Sequence, residues 1–225
     1  MPPEEQMLAA LASTRCQGTF EGHVTTRATD AATRERFQRA CGELGVKPVL
    51  IDLPEGVEPS QPMTASYHRG DVLGAAGELA EVARKLRDRG FPVVRVKLEA
   101  VTTNDGIPEA DTDPQPAERY FEYHVKLRLP ATPDEGSLNA VCVGHAAKVS
   151  RNAFKTDPAG VSERFVTLRA YGVGRTTAEG RLDALLADLV GAGFDVLNKQ
   201  KEYSLFDSHV RLDAGWIDPP AEGTP

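Results

Sequence analysis

The chain has 225 residues, 40% of them hydrophobic and 26% charged, enough for one large or two ordinary domains with an apolar core. Its net charge of −7 excludes bulk nucleic-acid binding, which needs a basic surface to displace counterions. No apolar run approaches the ~18–20 residues of a membrane span, and the acidic start MPPEEQ is unlike a signal peptide, so a cytoplasmic protein is expected.

Residues 1–19 contain a helical patch, Glu4 to Leu11, and are expected to form a loosely docked arm. From Phe20 the pattern alternates, with Phe20 and Val24 on one face and Glu21, His23 and Thr25 on the other, which predicts a half-buried strand. Asp30 is placed to cap a helix, Ala31 to Leu44, whose stripe of Phe37, Ala40, Cys41 and Leu44 ends at Gly45. Lys47 to Leu53 reads as a strand, with Pro48 suggesting an edge, followed by a proline-rich loop and a short strand, Met63 to Tyr67. A helix from about Gly74 to Arg89, with Leu79, Val82, Ala83 and Leu86 inward, precedes a strand from Phe91 to Val101.

The segment 102–118 is acidic, rich in proline and without periodicity, and reads as a linker or surface loop. After it the order repeats: strand Tyr120 to Leu129, helix Pro133 to Gly144, strand Ala147 to Phe154, turn Thr156 to Gly160, strand Arg164 to Tyr171, helix Thr177 to Ala192, strand Phe194 to Leu205. The residues agree as well as the order. Phe20-Glu21-Gly22-His23-Val24 returns as Phe121-Glu122-Tyr123-His124-Val125, and Cys41 and Lys47 return as Cys142 and Lys148, all 101 positions on. Thr64, Leu79, Gly90 and Glu99 return as Thr167, Leu182, Gly193 and Glu202, 103 positions on. A shared offset over so many landmarks marks an internal duplication. The expected fold is therefore α+β, a duplicated ferredoxin-like (βαββαβ)×2 chain with two antiparallel sheets related by pseudo-two-fold symmetry. Its expected division is an arm over 1–19, repeats over 20–101 and 119–206 joined by the 102–118 linker, and a tail over 207–225.

Two helices cover one face of such a sheet and leave the other free. Strand parity assigns Glu21, His23, Thr25, Thr64, Ser66, His68, Arg95, Lys97 and Glu99 to the uncovered face of the first half. In the second half it assigns Glu122, His124, Lys126, Arg128, Thr167, Arg169, Tyr171, Asn198, Gln200 and Glu202. Neither set has an aliphatic member, and two such faces brought together would enclose a polar space. The plain reading is a sheet face shown to water. The functional reading is a site for a small anionic ligand, a phosphate-bearing one among the candidates, with Arg95, Lys97, Lys126, Arg128 and Arg169 as cations, Tyr171 beside them, and Glu21, Glu99, Glu122 and Glu202 orienting them or holding a divalent metal. His23 and His124 are the candidate catalytic residues. Glu21/His23/Glu99 and its copy also suit a metal such as Mn, Fe or Zn.

Glu122-Tyr123-His124-Val125-Lys126 resembles the E-x-E-x-K strand of the triphosphate-tunnel (CYTH) family, with His124 at the middle Glu. That resemblance implies an antiparallel tunnel lined by Arg, Lys and Glu. His23-Val24-Thr25 is similar to the H-x-[S/T] strand of the 2H phosphoesterases, whose duplicated halves each supply one histidine, although Lys126 stands where the second hydroxyl would be. The other class of reading is a non-catalytic assembly module, with a homodimer among its forms.

Three cysteines without a CxxC are read as reduced, and Cys41 and Cys142 as core residues. Gly172-Val173-Gly174-Arg175 reads as a strand-to-helix turn with room for an anion, and the basic strand from Lys148 to Lys155 as a solvated edge. The tail, with Asp207, His209 and Trp216, is expected to pack as a strap and to be disordered from Asp218 to Pro225.

Overall fold

The computed structural model describes residues 1–27, 30–130, 132–152 and 162–218. The expected 156–160 turn, the end of the strand before it, and the tail from 219 onward lie outside the described residues. The elements run α1 (Pro3–Leu11), β1 (Gln17–Thr26), α2 (Ala31–Leu44), β2 (Lys47–Asp52), β3 (Ser60–Asp71), α3 (Val72–Asp88) and β4 (Val93–Val101). They continue with β5 (Tyr120–Leu129), α4 (Glu135–Gly144), β6 (Lys148–Asn152), β7 (Ser162–Tyr171), α5 (Arg175–Gly191), β8 (Asp195–Asp207) and a short 3-10 turn, Val210–Asp213.

The sheets do not stay separate, and this overturns the duplicated ferredoxin-like architecture with its two sheets. The strands bond in the order β1-β3-β2-β6-β7-β5-β8-β4, a closed eight-stranded barrel, antiparallel in each pairing described below. A ferredoxin-like sheet ends in free edges, and a free edge is a row of unpaired N–H and C=O groups that closure removes. Strand β2, expected at an edge because of Pro48, joins β6 through Ile51↔Asn152 and Asp52↔Arg151. Pro48 sits at the start of that strand, and its end remains free to bond. Strand β6 is no edge either, for it also pairs with β7 through Lys148↔Thr167. Its basic residues are matched by acids, with Lys148 Nζ 2.9 Å from Glu55 and Arg151 Nη2 3.0 Å from Asp52.

The chain forms two compact units. Unit 1 comprises Met1–Leu50, Ser60–Ile107 and Tyr203–Leu212, and unit 2 comprises Ile51–Pro59, Pro108–Glu202 and Asp213–Pro225.

In unit 1, helix α3 packs on β1, β3 and β4. Phe20, Val24, Val96, Leu98 and Ala100 alternate inward with Ala75, Ala76, Leu79, Ala83 and Leu86, all buried. Helix α2 begins with the Asp30 carboxylate accepting from Thr33 N–H and ends at left-handed Gly45, and its Phe37 meets Phe91 edge to face at 5.7 Å. The N-terminal arm is firmly seated, contrary to expectation. Met7 and Leu11 of α1 are fully buried, and Glu4 takes both arms of the Arg87 guanidinium on α3.

In unit 2, Phe121, Tyr123, Val125 and Leu127 of β5 are buried along with Leu182, Leu185 and Leu189 of α5 and Leu138 and Cys142 of α4. Burial pushes the Cys142 thiol up to about 11 and that of Cys41 in unit 1 to about 12, consistent with buried core roles. The strap of the sequence reading consists here of Trp216 and Ile217 packed with Leu53, the indole N–H donating to the Val149 carbonyl at 3.0 Å.

The acidic 102–118 segment is docked on helix α5. Gly174 N–H donates to Asp111, Thr177 Oγ1 donates to the same carboxylate, and the Pro108 and Glu109 carbonyls accept from Arg175 and Thr176 N–H. The helix N-terminus that could have taken an external anion is thus filled by a carboxylate of this chain. The contact needs glycine, because a Cβ on Gly174 would lie 2.4 Å from the Ala110 carbonyl carbon. Gly174→Ala is expected to cost about 1–3 kcal/mol by chemical denaturation, whereas Gly180→Ala, where a Cβ meets nothing within 4 Å, is expected to stabilise by about 0.5–1 kcal/mol. Equal effects would refute the docking.

Candidate functional site

Strand register decides which side chains share a face. In unit 1, β1 pairs with β4 through Glu21↔Glu99, His23↔Lys97 and Thr25↔Arg95, so these six side chains lie together, away from α3. The same register removes three residues from the expected set. Strand β3 pairs Glu21↔Tyr67, Gly22↔Ser66, His23↔Ala65 and Val24↔Thr64, which puts Thr64, Ser66 and His68 on the helix-covered face. In unit 2 the pairs are Glu122↔Arg169, Tyr123↔Leu168 and His124↔Thr167. The matching positions on β3 and β7 are therefore 102 apart, between the offset of 101 at Lys47/Lys148 and the 103 implied by Thr64/Thr167 and Leu79/Leu182. The extra residue lies at the junction with the next helix, where α3 starts directly after Asp71 but Gly172-Val173-Gly174 separate β7 from α5. Arg169 thus stands where unit 1 has Tyr67.

The unit 1 cluster is buried and paired. Glu21, Thr25, Arg95, Lys97 and Glu99 are each 5% exposed or less. Arg95 makes a two-armed contact with Asp207 at 2.8 and 2.5 Å, and Lys97 Nζ lies 2.8 Å from Glu99. His23 Nδ1–H donates to the Thr64 carbonyl at 3.0 Å, so Nε2 is left facing Glu99 at 3.5 Å and Glu21 at 3.7 Å. An unprotonated Nε2 would set its lone pair against two carboxylates. Burial pulls the imidazole down, but the bond to Glu99 and the charges of Glu21 and Glu99 outweigh it against the opposing Lys97, and His23 is held above its ordinary value. Among these groups three carboxylates face two fixed cations, and protonating His23 brings the balance to zero.

In unit 2, Arg169 is the centre. Its guanidinium, 4% exposed, bonds Glu122 through Nε and Asp213 through Nη2 at 2.6 Å, and lies over the Tyr120 ring at 5.0 Å. Burial lowers its proton affinity, yet Glu122, Tyr120, Asp213 and Tyr171 together raise it well above the ordinary arginine value. Among the described residues the buried Nη1 has no hydrogen-bond partner. His124 Nδ1 lies 3.0 Å from Thr167 Oγ1, and its Nε2 lies 3.2 Å from Glu122 and 4.0 Å from Glu202. Glu202 is 2% exposed and accepts from Gln200 at 3.3 Å. Tyr171 sits at the end of the same face, its ring 4.7 Å from Tyr120. Lys126 is engaged with Glu163 at 2.7 Å, and Arg128 is an exposed residue 3.6 Å from Asp195.

The structure therefore gathers Glu21, His23, Arg95, Lys97 and Glu99 in one unit and Glu122, His124, Arg169, Tyr171 and Glu202 in the other, and leaves Arg128 at the surface. Sequence reasoning missed Asp213 and the pairing role of Asp207. Their signal was an acid at the end of the last strand and another six residues later, with two buried arginines in need of partners. Among the described residues no group of three His, Cys, Asp or Glu is arranged to hold a metal ion. No described helix is long and apolar enough to cross a membrane.

No protein-family description and no curated protein matches the chain. Among solved structures it is similar to the regulatory subunit of aspartate kinase from Thermus thermophilus, at 12% identity over 78% of this chain and 97% of that one, TM-score 0.32. It is also similar to the small subunit of acetolactate synthase from Thermotoga maritima, at 14% identity over 84% and 95%, TM-score 0.30. Likeness at these scores transfers neither fold nor function.

Two outcomes follow from the geometry. Because His23 holds its proton more tightly folded than unfolded, protonation stabilises the fold. That contribution is full below pH ~6.5 and is lost as pH rises through the higher folded-state value. The stability difference between wild type and His23→Gln in urea is expected to shrink over that window, and a difference that is flat from pH 5 to 9 would refute it. Arg169→Met leaves Glu122 and Asp213 buried without their cation and is expected to cost about 3–5 kcal/mol; a loss under 1 kcal/mol in the same titration would contradict the clamp.

Proposed function

We propose that the chain binds a small polar molecule carrying an anionic group, a carboxylate or phosphate, at the Arg169 cluster. The observation that carries this is the unpartnered Nη1 of a buried guanidinium. A buried N–H without an acceptor costs about 1–3 kcal/mol, which an anionic oxygen would recover as a charge-assisted bond. Tyr120 beneath the guanidinium and the two carboxylates that hold it keep the fork in one orientation, so the ordering cost of binding is already met. His124 Nε2, Glu122 and Glu202 offer polar contacts to the rest of the ligand. Strand β5, which supplies Glu122 and His124, carries the stretch similar to triphosphate-tunnel proteins, which favours a phosphate over a carboxylate.

Arg95, Lys97, Lys126 and Arg128 play a different part in this reading. Each is already opposite a carboxylate of the chain, so they neutralise the protein's own acids. His23 and His124 in acid–base roles, a divalent metal and a homodimer form no part of this reading.

Thermal shift with orthophosphate, tripolyphosphate and succinate tests the reading. Stabilisation by at least one is expected, following the mass-action dependence on ligand concentration. Arg169→Lys keeps the charge but removes the fork, and is expected to abolish the shift relative to its own ligand-free melt. In wild type, the Arg169 side-chain 15N signals are expected to move on ligand addition. No shift with any of the three, or a shift undiminished in Arg169→Lys, would sink the reading.

A further inference from the structure

The helix-covered face of unit 1 carries polar residues where the copy has apolar core. Ser66 Oγ lies 2.9 Å from His68 Nε2, and His68 Nδ1 lies 2.6 Å from Glu78 Oε2. Ser66 and His68 are two apart on β3 and so share a face, while Glu78 reaches them from α3. By register, the unit 2 positions that match Ser66 and His68 are Leu168 and Ala170, 3% and 2% exposed. The residue 103 beyond Glu78 is Arg181. Opposite Ser66 stands Gly22, whose counterpart is the fully buried Tyr123. A Cβ on Gly22 would lie 3.2 Å from His68 Nε2 and 2.7 Å from Leu79 Cδ1, so the missing side chain is what makes room for the imidazole.

The copy fills the strand positions with ordinary core, and a polar group in such a place lowers stability unless its bonds are met. A plain tether between helix and sheet would need only His68 and Glu78. Ser66 adds a hydroxyl at the one ring nitrogen that the carboxylate leaves as an acceptor. The Glu78 carboxylate accepts from Nδ1–H and so fixes the tautomer, Nε2 keeps its lone pair, and the hydroxyl is 2.9 Å from it and 3.3 Å from the Gly22 carbonyl. This is the order nucleophile, base, orienting acid.

We propose that Ser66, His68 and Glu78 form a nucleophilic relay that accepts an acyl group from a small activated ester. Ser66 Oγ bonds to the ester carbonyl carbon while its proton passes to His68 Nε2. The carbon–oxygen bond to the leaving alcohol breaks, and the leaving oxygen takes that proton from His68. Water, deprotonated by His68, then releases the carboxylic acid and restores Ser66. His68 is 6% exposed and Ser66 half-buried, which restricts the relay to small acyl groups, and the 65% exposed Glu78 side chain places it near solvent.

The full chain treated with a small alkyl fluorophosphonate decides the matter by intact mass and peptide mapping. The expected result is one adduct per chain, on Ser66, formed faster as pH rises through a single ionisation and absent in Ser66→Ala. His68→Gln is expected to slow labelling by roughly 100-fold or more. Glu78→Gln, at an exposed helix position, is expected to slow it with the melting temperature unchanged and to alter the pH profile. With p-nitrophenyl acetate, a burst of one equivalent per chain is expected. No adduct on folded wild type, labelling spread over other serines, or a Glu78→Gln rate equal to wild type would each overturn the proposal. None of these outcomes bears on the Arg169 cluster, which lies in unit 2.

Discussion

Buried carboxylates are the constraint on which the other features depend. Glu21, Glu99, Glu122 and Glu202 sit on sheet faces that no helix of their own unit covers, yet all are 5% exposed or less. An unpaired carboxylate in such a place would neutralise or unfold the chain. Lys97 therefore lies against Glu99, Arg169 holds Glu122 together with Asp213, and a proton on His23 closes the unit 1 balance. The last strand is 13 residues long and ends in Asp207, which reaches Arg95, and the tail then supplies Asp213 to Arg169. The C-terminal segment is thus an electrostatic part of the fold as well as a covering for Leu53 through Trp216 and Ile217.

Much of the local structure was legible. Asp30 and Gly45 bracket a helix because a carboxylate caps free N–H groups and a glycine accepts the left-handed exit. Alternation along β1 and β4 identified Glu21, His23, Arg95, Lys97 and Glu99 as one face, because side chains on a strand alternate strictly. Parity failed on β3 because Thr64 was matched to Thr167 at an offset of 103, and one residue fewer separates the paired strands. A one-residue error sends every side chain to the other face. That error alone moved Thr64, Ser66 and His68.

Closure was not legible. Alternation tells which face of a strand is apolar and says nothing about which backbone will meet its free edge, so β2 and β6 both read as edges and are both paired on two sides. The partners of Arg95 and Arg169 were invisible for a related reason. Asp207 lies 112 residues from Arg95, and Asp213 lies 44 from Arg169, outside any repeated motif. At matched register positions the two units differ in chemistry: Tyr67 against Arg169 on one face, Gly22, Ser66 and His68 against Tyr123, Leu168 and Ala170 on the other.

The most direct test of this account is carboxyl labelling of the native protein with a water-soluble carbodiimide and glycinamide, read by peptide mass mapping. The account predicts that Glu21, Glu99, Glu122 and Glu202 stay unmodified in buffer and become modified in urea, while Glu43 and Glu55, 65% and 57% exposed, react at once in both. Modification of the four in buffer at the rate of Glu43 and Glu55 would mean that the polar faces are open to water, and would contradict it.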